Sequence, residues 1–484
     1  MHRCRALGQI SVRWASSAAK FAPEDTATSF APFTNRDLAV TAAMLAACAN
    51  PTMMDAGRRA VQRAFDVVNG NGESSASISP SGARLVAASL LWCVKRTAFR
   101  HYCAGEHLED CAALSRKLAP SGVRLIVDHS VEEREEVSAW EHNLEQKRRL
   151  LTSLRSTLGD EAVFIPVKIT ALASPSMLDR VSLLLRQQGE GWESKPLCTD
   201  DVRAQLESSD VELFDAAIAN LSALCEQATS VGVPLLLDAE ASPRQPAVDV
   251  IALELMRRYN RGRSGDVNGS GYGSACDDTV MRARPFVYNT YQMYLRDAGT
   301  RLTRDMKQMA AEDVIFAAKI VRGAYMVAEN TDASKEGRDS PVHFSKDATD
   351  AQYNDAVRCM LRSIAGSAVS QGSNGVGPGA AVVIATHNRG SVEAAVEEMC
   401  ALGLPNNHPN VHIAQIMGIC DHVTCALGAS GYNALKLVLF GEFDEIFPWL
   451  LRRLEENSDL MGAPLLESPL VTRELRRRLG AGVS

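Results

Sequence analysis

Residues 234–240 read Pro234-Leu235-Leu236-Leu237-Asp238-Ala239-Glu240, a short apolar run closed by two carboxylates. Uninterrupted apolar runs of about 4–8 residues suit strands buried on both faces, as in a parallel sheet. Asp238 and Glu240 are two residues apart, so strand alternation turns both to the same side at the C-terminal end. Comparable runs occur at Arg124–Asp128, Phe164–Thr170, Phe286–Tyr291, Phe316–Arg322, Ala381–Ala385, Val411–Gln415 and Leu435–Phe440. Helical segments separate most of them, among them Val211–Thr229, Ser391–Gly403 and Asp444–Asn457. Eight strands alternating with helices predict an α/β fold, either a (βα)8 barrel or a doubly wound sheet.

Polar residues decide between these two. The strand ends carry Asp128, Lys168, Asp238 with Glu240, Asn289 with Tyr291, Arg322 with Tyr325, Thr386-His387-Asn388, and Gln415. A barrel gathers every strand end at one face, whereas a doubly wound sheet concentrates its chemistry at a switch point. The wide spread therefore predicts the TIM-type barrel.

The 484 residues exceed a minimal barrel, and the excess falls in flanks and loops. Residues 1–23 carry Arg3, Arg5, Arg13 and Lys20 with no acid, and Leu7, Ile10, Val12 and Trp14 lie loosely on one helical face. That pattern predicts a mitochondrial transit peptide over residues 1–22 and a matrix location. The total charge of -7 thus divides into a basic start and an acidic body. A body of that sign, with no basic cluster near aromatics, argues against a nucleic acid partner. No stretch reaches the roughly 18 uncharged apolar residues that a spanning helix needs.

Residues 23–120 read as a helical region, with helices over Asp37–Ala49, Met54–Val67, Ala83–Cys103 and Leu108–Leu118 and an exposed loop at Asn69–Gly82. The barrel is assigned to residues 121–460, with loop-like insertions at Arg261–Asp278, Thr331–Lys346 and Gly366–Gly379. A G-S-G-Y-G stretch in the first insertion follows no strand and misplaces the third glycine of a dinucleotide fingerprint, so it reads as a solvent loop. In residues 461–484, Leu470, Val471, Leu475 and Leu479 lie among Arg473, Arg476, Arg477 and Arg478. Such a basic amphipathic helix either rests on an anionic membrane or packs on the barrel mouth. Twelve scattered cysteines without a C-x-x-C pair read as reduced and mostly in the core, Cys400, Cys420 and Cys425 included; no metal-ligand spacing occurs.

Three features carry chemistry. Lys168 closes an apolar strand, where an ammonium group needs an anion. Asp238 and Glu240 on the next strand supply candidates, and together they form a charge network. On a helix over Asp444–Asn457, Trp449, Arg452, Arg453 and Glu456 fall within one arc. Adjacent guanidiniums there suit a substrate carboxylate, with Glu456 bracing Arg452.

The ordered set VKITAL (Val167–Leu172), LLLDAEAS (Leu235–Ser242), VYNTYQMYLRDA (Val287–Ala298), KIVRGAY (Lys319–Tyr325), ATHN (Ala385–Asn388) and WLLRRLEEN (Trp449–Asn457) resembles the proline dehydrogenases, mitochondrial flavoenzymes of proline catabolism. The resemblance covers roughly residues 120–460. It implies FAD as cofactor, L-proline as substrate, Δ1-pyrroline-5-carboxylate as product and ubiquinone as electron acceptor. It also implies that Lys168, Arg452 and Arg453 hold the substrate carboxylate, that Asp238 supports them, and that Lys319 stands beside the reactive flavin nitrogen. Ala239, Asn289, Arg322, Gly323, Ala324, Thr386 and His387 match FAD contacts, while Tyr325 and Ile416 match pocket walls.

Two positions depart from the family pattern. Leu437 and Trp449 stand where tyrosines commonly enclose the substrate ring, which opens discrimination between proline and 4-hydroxyproline. The alternatives are accordingly a hydroxyproline dehydrogenase and a catalytically weak barrel that binds flavin or an amino acid.

Overall fold

A computed structural model describes residues 20–69, 80–129, 135–187, 189, 191–261, 284–370, 379–447 and 463–480. Its sheet contains β1 (Cys103–Gly105), β2 (Val123–Asp128), β3 (Ala162–Val167), β4 (Leu235–Leu237), β5 (Val287–Gln292), β6 (Phe316–Val321), β7 (Ala380–Ala385), β8 (Val411–Ile416) and β9 (Ala434–Phe440). From β2 to β9 each strand pairs in parallel with its successor, and β9 returns to β2 from Val123↔Ala434 through Asp128↔Leu439. The eight expected strands are thus present and closed into a (βα)8 barrel. At the end of β3 the expected run through Thr170 stops early, because Ile169–Ala171 tightens into a 3-10 turn.

Side-chain alternation separates lumen from helix layer. One buried cluster draws Ile126, Phe164, Leu236, Tyr288, Ala317, Val383, Ala414 and Leu435 from β2 to β9 in turn, which identifies the lumen face of every strand. Phe164 meets Tyr288 and His412 edge to face, each at 5.1 Å, and fills the lumen's lower layer. Two or four residues further along each strand, the same parity must point into the mouth. The opposite parity packs on the outer helices, including Val137–Leu158, Ser208–Val231, Gln245–Tyr259, Ala298–Ala311 and Lys346–Ser370.

β1 departs from the expected continuous helix over Ala83–Cys103. The helix Pro80–Val94 passes through a π turn at Lys95–Phe99 and a short turn at Arg100–Tyr102 before the chain extends. Cys103 and Gly105 pair with Leu439 and Phe440, just beyond the stretch of β9 that β8 covers. Pairing the otherwise open edge of β9 satisfies its backbone groups, which explains why an apolar segment leaves the helix. The N-terminal region is therefore stitched into the barrel seam.

Other expectations shift for local reasons. Asn35–Cys48 begins in a capping box between Thr34 and Asp37, and Pro51–Val68 begins at Asn50 with proline in its first turn. Thr331–Lys346 is loop only from Gly337, since the helix Met326–Glu336 crosses its start; Gly366–Gly379 likewise begins inside the helix Lys346–Ser370. Most of Arg261–Asp278, with the G-S-G-Y-G stretch, lies outside the described residues, as does the transit-peptide segment up to residue 19. Cys420 and Cys425 are buried as expected, but Cys400 is exposed.

The C-terminal helix Ala463–Arg478 forms, but it packs on the N-terminal helices. Val471 is buried with Phe30, Leu38 and Leu45, and Leu470 and Leu475 lie against them. Arg478 donates to the carbonyls of Phe33 and Phe30, the latter at 2.9 Å. Most of the apolar side proposed for a membrane is consumed by the fold, with Leu479 left exposed. Buried Glu467 ties the helix to the loop after β8 at the barrel mouth, accepting from the Cys420 amide at 3.1 Å and meeting His422 Nδ1 at 3.0 Å.

Candidate active site

The lumen parity carried to the strand ends gathers Asp128 of β2, Lys168 after β3, Asp238 after β4, Thr290 and Gln292 of β5, Lys319 of β6, Ile416 of β8 and Leu437 of β9. Lys319 Nζ donates to Asp238 Oδ1 at 2.5 Å, spanning β5. Their side chains are 14% and 27% exposed, enough to meet a ligand yet shielded enough to strengthen the ion pair. Lys168, half-buried, starts the turn Ile169–Ala171.

Two further carboxylates complete this charge set. Glu240 is buried and accepts from Thr170 Oγ1 at 2.9 Å, while its amide donates to Gln245 Oε1 at 2.8 Å. Burial pushes its carboxyl up, against the Thr170 hydrogen bond and the charge of Lys168. Asp128 lies 3.6 Å from Lys147 Nζ, which also donates to the carbonyls of His129 and Pro166 at 2.8 and 3.3 Å. Burial likewise raises Asp128; Lys147, Lys168 and Lys319 oppose this, whereas Asp238 reinforces it. Lysines and carboxylates thus alternate around the mouth, poised for a zwitterionic ligand.

The wall over β6 and β7 is built around Arg322. Its Nε donates to Asp350 at 2.6 Å, one terminal nitrogen to Thr386 Oγ1 at 2.7 Å and the other to Ser391 Oγ at 2.9 Å. The guanidinium also lies 4.3 Å from the centre of the Tyr353 ring. Beyond it Gly323 and Ala324 expose their backbone, with Gly323 at φ 133°. A Cβ at Gly323 would sit 1.6 Å from the Tyr294 ring, so only glycine allows this approach. Glu329 then reaches back across the mouth to the Ser242 amide and hydroxyl, each at 2.5 Å, tying the loop after β6 to the loop after β4.

Among the expected site residues, Lys168, Asp238, Ala239, Lys319, Arg322, Gly323, Ala324, Tyr325, Thr386, His387, Ile416 and Leu437 lie at the ends of the strands around this mouth. Asn289 does not join them. Its odd parity on β5 turns it into the helix layer, fully buried, where Nδ2 donates to Asp249 Oδ1 and Oδ1 accepts the Thr290 amide, both at 2.9 Å. Tyr291 shares that face and donates to Asp305 Oδ2 at 2.7 Å. Trp449, Arg452 and Arg453 lie outside the described residues.

Sequence reading missed Gln292 and Lys147. Gln292 follows from the parity of Tyr288, and its Nε2 donates to the Glu240 carbonyl at 2.8 Å. Lys147 shares the inward register of Trp140, Asn143, Leu150, Leu151 and Leu154 on its helix, where a lysine signals a buried anion.

Comparison with known proteins fixes the family. The profile described as Proline dehydrogenase matches residues 111–463. The chain belongs to the proline dehydrogenase family. Proline dehydrogenase 1, mitochondrial, of Arabidopsis thaliana is 32% identical over 419 residues, covering 83% of this chain and 78% of the relative. Hydroxyproline dehydrogenase of Bos taurus is 29% identical over 416 residues, with 82% and 83% covered. The proline dehydrogenase fold is matched by proline utilization A (PutA) of Bdellovibrio bacteriovorus at a TM-score of 0.62 and 17% identity. That match covers 86% of this chain, which spans only 38% of the longer PutA chain.

Proposed function

We propose that the protein oxidises L-proline to Δ1-pyrroline-5-carboxylate with FAD and passes the electrons to ubiquinone in the mitochondrial matrix, in peripheral association with the inner membrane. The Lys319–Asp238 pair beside Lys168, inside the mouth of a proline dehydrogenase barrel, is the observation that carries this reading. Relatives named mitochondrial support the compartment.

A proline carboxylate needs cations, and the neighbouring ring amine must be neutral for hydride to leave C5. Lys168 supplies one cation at the mouth, and Arg452 and Arg453 are proposed as the others. Holding the carboxylate at these groups orients the ring and its C5 hydrogen for transfer. Ile416 and Leu437, paired in register on β8 and β9, offer the ring an apolar wall. Asp238 holds Lys319 in place, with its ammonium directed into the mouth.

The donors present fit FAD: half-buried Arg322, the exposed Gly323–Ala324 backbone, Thr386, His387 and Gln292 offer N–H and O–H groups for its phosphates, ribityl chain and ring carbonyls. Bound FAD would accept the hydride from proline. The side chain of Asn289 faces the helix layer, so it would support this set from behind the strand.

A second reading, oxidation of 4-hydroxyproline, is favoured by Leu437, which presents no hydroxyl to the substrate ring, and by relatives of that name. Anaerobic mixing of purified yellow protein with each substrate separates the readings. Bleaching with the higher kcat/KM on proline is expected. A reversed ratio would assign hydroxyproline, and a flavin that stays oxidised with both would remove dehydrogenase activity altogether.

A further inference from the structure

The helix Pro80–Val94 has two apolar sides, and only one is used. Ala87 and Leu91 face inward with Ala64 of the paired helix Pro51–Val68. On the opposite side Leu85, Val86 and Trp92 are 71, 66 and 57% exposed, and Met53 on the paired helix is 59% exposed. Leu85, Ser89 and Trp92 recur at i, i+4 and i+7, forming one outward stripe. The hydroxyl protons on and just beyond the stripe are satisfied within the chain: Ser89 Oγ donates to the Leu85 carbonyl at 2.8 Å and Thr97 Oγ1 to the Cys93 carbonyl at 2.7 Å.

Cations border this stripe. Between Pro51 and Tyr102 the chain carries seven Lys and Arg against three Asp and Glu, opposite to the acidic balance of the whole. Trp92, with the Arg96 guanidinium 4.6 Å from its ring, leads into a cleft of about 720 Å³ lined by Arg36, Lys95, Arg96, Arg100 and Lys117. Lys95, Arg100 and Lys117 pair with Glu106, Asp110 and Asp37. Arg36 and Arg96 have no carboxylate partner among the described residues.

We propose that the Pro80–Val94 stripe and its neighbouring cationic cleft form the surface on which the protein rests on an anionic phospholipid bilayer. This deepens the membrane association proposed above and moves it away from the C-terminal helix, where Leu470, Val471 and Leu475 already pack on the N-terminal helices. Exposed Leu, Val and Trp supply the apolar face of an interfacial helix, and Arg36 and Arg96 face the phosphates of the headgroups. A second copy of this chain fits less well, because an isologous contact would set the two cationic borders against each other. The hairpin is anchored near the barrel mouth: Phe65 stacks at 4.0 Å on Phe447, shortly after β9. Docking by this face therefore brings the mouth end of the barrel near the bilayer.

Flotation of the full-length protein with vesicles of phosphatidylcholine alone, or mixed with phosphatidylglycerol, tests the surface. Binding is expected to the mixed vesicles, weaker at high salt, and to fall about tenfold or more in Leu85→Ser/Trp92→Ser and in Arg36→Ala/Arg96→Ala. Both variants should keep the parent's circular dichroism and substrate-dependent flavin bleaching, since none of these residues lies in the mouth. Unchanged binding in both variants, or none by the parent, overturns the proposal. So does a parent dimer that Leu85→Ser/Trp92→Ser dissociates without any vesicle binding. A protein that binds mixed vesicles as described but oxidises neither substrate would retain the surface while losing the enzymatic reading.

Discussion

At the scale of single residues, the partnership of Lys319 with Asp238 illustrates how position and contact differ. Sequence alternation placed Lys168, Asp238 and Glu240 at strand ends and suggested one shared network. In the fold the charges do share one mouth, but by different contacts: Asp238 reaches Lys319 across β5, while Glu240 accepts from Thr170 and feels Lys168 through its charge. Ring closure determines these distances, and no local pattern encodes it. Asp238→Asn would retain the shape but remove the charge that holds Lys319. The expected outcome is a fall of about 100-fold in the rate of anaerobic flavin reduction by proline, read by stopped flow, with unaltered flavin content. Lys168→Met should instead raise KM for proline about tenfold or more, because its role is to hold the carboxylate.

Asn289 shows the same gap between position and contact. Its place in the YNTYQ segment implied cofactor contact, yet parity commits it to a network behind the sheet. Asp249 there accepts from Asn289, from Gln245 at 2.9 Å and from Arg301 at 2.5 Å. Arg301 and Asp249 are essentially unexposed, and without Asp249 the buried Arg301 would keep only the looser pair with Asp297 at 3.3 Å. Asp249→Leu is expected to destabilise the fold by about 3–5 kcal/mol, measurable as a lower denaturant midpoint, before any effect on catalysis.

At the scale of elements, strand existence and helix existence were legible because their periods are 2 and 3.6 residues. Termini and destinations were not. The helix expected through Cys103 breaks because β9 has an edge to pair, a tertiary demand absent from its own sequence. The C-terminal helix was correctly read as basic and amphipathic, but its sequence could not say what covers its apolar side. Glu474 explains part of the choice: its carboxylate is buried, accepts from Arg477 at 2.7 Å and Arg478 at 2.6 Å, and so holds Arg478 where it donates to the Phe30 carbonyl. Those hydrogen bonds, Arg477 foremost, hold its pKa down to about 2. The folded helix therefore binds fewer protons than the unfolded chain. Its contribution is complete above the unfolded value of about 4.3 and is lost as pH falls through about 2. Glu474→Gln should flatten the decline of stability across that window, measured by Tm in a series of acidic buffers.

At the scale of the molecule, the two flanking regions behave as one clasp on the barrel. β1 adds N-terminal chain to β9, and the C-terminal helix covers Phe30, Leu38 and Leu45 of the N-terminal helices. Neither flank is a free appendage, although composition alone separated both from the barrel. Each large side chain in that shared cluster contributes about 1.5–3 kcal/mol by burial. Deleting residues 463–484 would expose the cluster while leaving β2 to β9 intact. Limited proteolysis of the shortened protein should cut within residues 20–69 at least about tenfold faster than in the full chain, because cleavage follows the population of the locally opened state. The barrel should survive as a resistant fragment. Equal resistance of the N-terminal helices in both forms would show that β1 and the hairpin, rather than the clasp, hold that region in place.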